Sequence, residues 1–158
     1  MDQAAKDRVA IARDALAWER AGALKVKAQS YIVVDGDVKT SLALNLDKQA
    51  RDVVLGPCQV CALGGLLLAK AVRFDAVTVS NVLNHQVKLL LDHFSADQLN
   101  EIEAAFEGCS YPSITWIDSD RVFNIDWKEA FPNDKVRFRR IMENIIRNEG
   151  TFVPSDLG

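Results

Sequence analysis

The run Val60–Ala69, VCALGGLLLA, carries no charge and is apolar on every side of the helix it would form. A helix with no polar face has to be enclosed by other elements, so this segment constrains the fold more than any other. Its length is about half of what a bilayer-spanning helix needs, so it is read as a core helix and not as an anchor. Gly56-Pro57 ahead of it is an entry signal, with proline suited to the first helical position, and the spacing predicts a helix from about Pro57 to Val72. Gly64 and Gly65 inside it cost about 1 kcal/mol each relative to alanine, which implies close approach by another backbone. The chain has 158 residues, 49% of them apolar and 26% charged, enough for one core and too few for two ordinary domains. The expectation is a single domain over 1–158, with the tail 151–158 loose.

The surrounding segments read as α+β, mostly helical: helices packed around this central apolar helix, with one or two short β-hairpins. A parallel α/β sheet is the alternative, because Val53–Leu55 is strand-like directly before the helix. From Asp2 to about Ala21, Val9, Ala12, Leu16 and Ile11, Ala15, Trp18 repeat at helical spacing and Gly22 supplies a stop. Lys6, Asp7, Arg13, Asp14 and Arg20 are left for water. Tyr31–Val34 followed by Asp35-Gly36 predicts a hairpin whose second arm is Asp37–Leu46. A helix is predicted over about 81–92, and Ser95 with Gln98 forms a capping box opening the next one, which Gly108 ends. Ile114–Ile117 and Val122–Ile125 suggest a second hairpin. The last helix follows Pro132-Asn133-Asp134 and stops at Gly150, with Phe138, Ile141, Met142 and Ile145 inward.

Chemistry is sparser. Cys58 and Cys61 form a C-x-x-C at the expected helix start, where the helix dipole and free N–H groups would lower a thiol pKa and favour a thiolate nucleophile or metal ligand. Pro57 lies before the pair instead of within it and no aromatic residue flanks Cys58, so a thioredoxin-like redox pair ranks below core packing. Zinc would need further ligands, and Cys109, His85 and His93 are the candidates. The two histidines lie about 12 Å apart along one predicted helix, too far to share an ion. No cofactor is expected, with zinc as the lower-ranked exception. The cysteine count of 3 is odd and small, which fits a reducing compartment.

Lys plus Arg total 19 against 22 Asp plus Glu, a net charge of -3, so strong nucleic-acid or anionic-membrane binding has no overall electrostatic basis. Two local biases remain. Residues 92–107 hold Asp92, Asp97, Glu101, Glu103 and Glu107 and no Lys or Arg, a charge of -5; the functional reading is an acidic docking surface for a basic partner. The final helix carries Lys135, Arg137, Arg139, Arg140 and Arg147 against Asp134, Glu143 and Glu149, or 5 − 3 = +2 over residues 134–150. Arg139, Arg140, Asn144 and Arg147 are expected on one outer side, where arginines could hold phosphates. Nucleic acid is not favoured, since no aromatics interleave and no DNA- or RNA-binding signature precedes them. A homo-oligomer in which the two patches face each other is a further expectation. No serine elbow, phosphate loop, dinucleotide fingerprint or H-E-x-x-H helix is present, so no reaction can be named. The amino terminus is charged from its second residue and lacks a secretory pattern, which points to a cytoplasm.

Three strings together carry a resemblance: Pro57-Cys58-Gln59-Val60-Cys61-Ala62-Leu63-Gly64, Ile102-Glu103-Ala104-Ala105-Phe106-Glu107-Gly108, and the block from Ile141 to Pro154, IMENIIRNEGTFVP. They resemble small bacteriophage- and prophage-encoded proteins of uncharacterised function, over about two thirds of the chain in scattered blocks. The resemblance carries no catalytic residue. It implies an accessory protein made in a bacterial host cytoplasm, binding a host protein such as a regulatory or defence protein. Glu101, Glu103, Glu107, Arg139, Arg140 and Arg147 are the partner-binding candidates that the charge pattern supplies.

Overall fold

A computed structural model describes residues 1–28, 32–34, 58–74, 90–108, 116–118, 121–123 and 125–158. These are mostly helical, and among them no helix is long and apolar enough to cross a membrane. In chain order the elements are α1 (Gln3–Arg20), β1 (Leu24–Val26), β2 (Ile32–Val34), β3 (Cys58–Val60), α2 (Ala62–Phe74), α3 (Ala96–Glu107), β4 (Trp116–Asp118), β5 (Arg121–Phe123), α4 (Trp127–Ala130) and α5 (Asp134–Arg147).

The strands are short. β3 lies between the other two of its sheet, parallel to β1 with Leu24 opposite Cys58 and antiparallel to β2 with Ile32 opposite Val60. β4 and β5 pair antiparallel, Trp116 opposite Phe123. The expected second arm Asp37–Leu46, the strand-like Val53–Leu55 and most of the expected helix 81–92 lie outside the described residues.

α2 corrects the expected helix start. Cys58–Val60 is a strand, and the helix begins at Ala62 with Cys61 at its cap: Gly65 N–H donates to the Cys61 carbonyl at 2.9 Å and Gly64 N–H to its Sγ at 3.4 Å. β-pairing to two neighbours engages the backbone of residues 58–60 that the expected helix would have used. Every residue from Ala62 to Ala71 is buried, between α1 on one side and α3 on another. The glycine expectation needs a second correction. What approaches Gly65 is a ring, not a backbone: a Cβ there would stand 2.8 Å from Cε2 of Phe138 in α5.

α1 buries Val9, Ile11, Ala12, Ala15 and Leu16, the residues its periodicity selects, and Asp2 caps it by accepting from Ala5 N–H at 2.8 Å. Its polar side is less wet than expected. Arg73 of α2 binds Asp14 through two N–H groups at 2.8 and 2.9 Å, and Arg20 reaches Glu143 at 3.0 Å. Ser95 caps α3, accepting from Gln98 N–H at 3.1 Å. The reciprocal half of the capping box is replaced, because the Gln98 amide turns to the tail: Oε1 accepts from Phe152 N–H at 2.6 Å and Nε2 donates to its carbonyl at 3.0 Å.

The tail is anchored, contrary to the expectation that it is loose. α5 ends in a Schellman arrangement, with Gly150 N–H on the Ile145 carbonyl (2.8 Å) and Glu149 in the left-handed region at φ 53°. Gly150 then passes so close to α1 that a Cβ would stand 2.7 Å from the Ala5 carbonyl oxygen. Phe152 is 1% exposed with its ring centroid 5.3 Å from that of Trp127, whose indole N–H donates to the Pro154 carbonyl at 2.9 Å. Asn144 donates to the carbonyls of Val153 (2.8 Å) and Asp156 (2.6 Å). A polar, glycine-containing terminus reads as loose only until these acceptors find donors.

Candidate functional site

Cys61 follows the core-packing reading and not that of a thiolate at a helix start. Cys61 is 6% exposed, and burial pushes its pKa up to about 11; the Gly64 N–H opposes this, and the nearby Glu107 and Glu103 carboxylates add to the rise. Withdrawal from water outweighs the helix N-terminus, so at neutral pH this sulfur is a thiol that packs as an apolar group. Cys58 stands in β3, on the strand preceding the helix. Cys109 and His85 lie outside the described residues. His93 sits in the turn after Leu90, its ring 4.7 Å from that of Phe74 and its Nδ1 3.8 Å from Asp7. Among the described residues no three His, Cys, Asp or Glu side chains are placed to hold a metal ion.

The acidic segment splits by exposure. Leu99, Ile102, Ala105 and Phe106 turn α3 into the core, which leaves Asp97, Asn100 and Glu103 exposed at i, i+3 and i+6, a single outer ridge continued by the half-buried Glu107. Glu101 departs from that ridge toward the tail, where it accepts from Gln98 Nε2 at 2.8 Å. Burial, and then the Asp97 charge, push its pKa up to about 7 against the Gln98 hydrogen bond, so at neutral pH it is only partly a docking charge. Asp92 is claimed by Lys70 of α2, whose otherwise buried side chain brings Nζ to 3.1 Å.

The basic helix is mostly engaged in ion pairs, and the expected outer row holds only in part: Arg140 and Arg147 are exposed, Arg139 is half-buried and Asn144 is buried. Arg139 bonds the carboxylate of Glu19, itself 3% exposed, through Nε and through Nη2 at 3.1 Å. Arg147 binds Asp156 at 2.9 and 3.0 Å, and with Asn148 holds that carboxyl below its ordinary range. Asn144 is 0% exposed. Arg140 is exposed, its guanidinium 5.5 Å from the centroid of the Phe131 ring. At 3.6 residues per turn positions 139, 140, 144 and 147 lie within an arc of about 140°, and on that side α1 takes up Arg139 while the tail takes up Asn144 and Arg147.

Sequence reasoning missed Arg137, which counted as one more surface cation. It is 0% exposed. Nε donates to the Phe106 carbonyl (2.6 Å), Nη1 to those of Phe131 (2.8 Å) and Pro132 (3.2 Å), and Nη2 to Asp134 (2.6 Å), with the guanidinium 4.8 Å from the Phe106 ring centroid. It thus ties the ends of α3 and α4 to the start of α5. Asp134 also accepts from Ala28 N–H at 2.8 Å; burial raises its pKa, but that bond and the Arg137 contacts together hold it below the ordinary value. The one available signal was position, since Arg137 lies one residue before Phe138 on the inward stripe.

No family model, curated protein or solved structure matches the chain.

Proposed function

We propose that the chain is a phage-type accessory protein that acts in a bacterial cytoplasm by binding a basic surface on a host protein, such as a regulatory or defence protein, and not by catalysis. The docking surface in this reading is the outer ridge of α3, Asp97, Asn100 and Glu103 continued by Glu107. The observation that carries it is the contrast between the two charged helices. Asp97 and Glu103 are both exposed, with Asn100 between them, whereas Arg139 and Arg147 of α5 already hold Glu19 and Asp156. Exposed like charges such as those of Asp97 and Glu103 attract an oppositely charged partner and guide its encounter. The high pKa of Cys61 also supports binding over thiol chemistry.

The test is capture from bacterial lysate with the wild-type chain and with a D97K/E103K variant, at low salt and at about 0.5 M salt, where exposed charges are screened. Both positions are exposed, so the variant keeps its helical circular dichroism. The expected result is one host protein recovered reproducibly by the wild type, lost with the charge reversal and weakened by salt. Reproducible failure to recover a partner, or capture indifferent to the reversal, refutes the reading.

A further inference from the structure

Beside the amino-terminal half of α1 the surface opens into a hollow of about 280 Å³, lined by Met1, by Lys6, Val9, Ala10, Arg13 and Asp14 of that helix and by Arg73 from the end of α2. The five α1 positions recur at i, i+3, i+4, i+7 and i+8, so they share one face. Val9 and Ala10 make an apolar floor. Arg73 forms a fixed wall, because its Nε and Nη2 both bind Asp14, at 2.8 and 2.9 Å, and this pairing cancels the Asp14 charge. Lys6 and Arg13 are exposed at the two ends, and neither forms an ion pair with a carboxylate among the described residues. Arg8, Arg20, Arg139 and Arg147, by contrast, all have acceptors. With three cations against one carboxylate, the lining carries 3 − 1 = +2. Seven helical residues separate the two free cations, about 10.5 Å along the axis.

We infer that this hollow binds an elongated organic dianion, with carboxylate or phosphate ends on Lys6 and Arg13 and a short apolar spacer across Val9 and Ala10. The order of the surface, cation, apolar floor, cation, matches that pattern of anion, spacer, anion. A single-ended fatty acid satisfies one cation and leaves the other unmatched. A compact diacid cannot reach both.

Titrations of the full chain with decane-1,10-dioic acid, succinate and decanoate, followed by the NMR shifts of the Val9 and Ala10 methyl groups, test this. The long diacid is expected to give saturable shifts and to bind at least about threefold more tightly than either control, with K6A and R13A each weakening it about two- to fivefold, the range of an exposed ion pair. A decane-1,10-diyl bisphosphate run beside it separates phosphate from carboxylate ends; saturable binding by either, with the same dependence on Lys6 and Arg13, supports the site. Absence of saturable shifts for both long dianions, equal binding by succinate or decanoate, or indifference to K6A and R13A overturns it.

Discussion

Replacing Arg137 with methionine keeps the length and apolar stem of the side chain and removes the guanidinium from a site that is 0% exposed. The buried carbonyl of Phe106 and the part-buried carbonyls of Phe131 and Pro132 then lose a charged donor, and Asp134 loses its 2.6 Å partner. Hydrogen bonds to a charged group contribute about 1.5–3 kcal/mol each, but four that share one guanidinium are not additive. Removing one partner of a buried pair costs about 3–5 kcal/mol, and loss of the contact with the Phe106 ring belongs to the same sum. Asp134 softens the loss, since its side chain is 30% exposed and keeps the Ala28 N–H. We therefore expect R137M to cost about 4 kcal/mol, a large part of the roughly 5–15 kcal/mol that holds a domain folded. R137K should cost about half as much, because an ammonium keeps the charge but lacks the planar fork that reaches three carbonyls on two segments. Urea unfolding followed by circular dichroism reads this out. With a slope of about 2 kcal/mol per molar, R137M lowers the midpoint by about 2 M at unchanged slope, and R137K by about 1 M. An R137M midpoint within about 0.5 M of wild type, or R137K as damaging as R137M, refutes the assignment of the guanidinium as the tie between α3, α4 and α5.

The remaining predictions concern titrating groups. Glu101 has a folded pKa of about 7 against an ordinary value of 4.5, so between those values the folded chain binds more protons than the unfolded one and stability falls as pH rises. Part of that is screened by solvent, leaving on the order of 1 kcal/mol; E101Q should remove the slope, matching wild type near pH 4.5 and exceeding it at pH 8 in urea midpoints, and a variant less stable at pH 8 contradicts the reasoning. Cys61, buried and with its pKa at about 11, should resist iodoacetamide at pH 8 in the folded chain and react fully in urea, as mapped by peptide mass spectrometry. Labelling of folded Cys61 at the rate of a free thiol would show that the sulfur is open to solvent.

What the sequence by itself determined is what closes within a turn or two of chain. The apolar spacing of α1, the Asp2, Ser95 and Asn133 caps, the bonded groups of which lie three residues apart, and the glycines at 22 and 108 with φ near +80° are local hydrogen-bonding and steric matters. The enclosure of residues 62–69 follows from composition alone, because a segment without a polar side has no wet place to go, whereas the burial of Lys70 beside them does not. Tertiary structure decided which charges and which ends are buried. Arg137 and Arg140 look alike in sequence, yet only the first faces carbonyls supplied from as far away as Phe106. Gln98 looked like a cap and became a latch on Phe152, 54 residues away; the tail counted as loose because its partners Trp127, Asn144 and Gln98 are invisible to any local window. The C-x-x-C left chemistry and core packing to be ranked for the same reason: a helix start lowers a thiol pKa only where water remains, and whether water remains at Cys61 is settled by the packing of other segments around it. Charge and hydropathy patterns state what a residue needs, and only the assembled chain settles whether that need is met by solvent or by a distant partner.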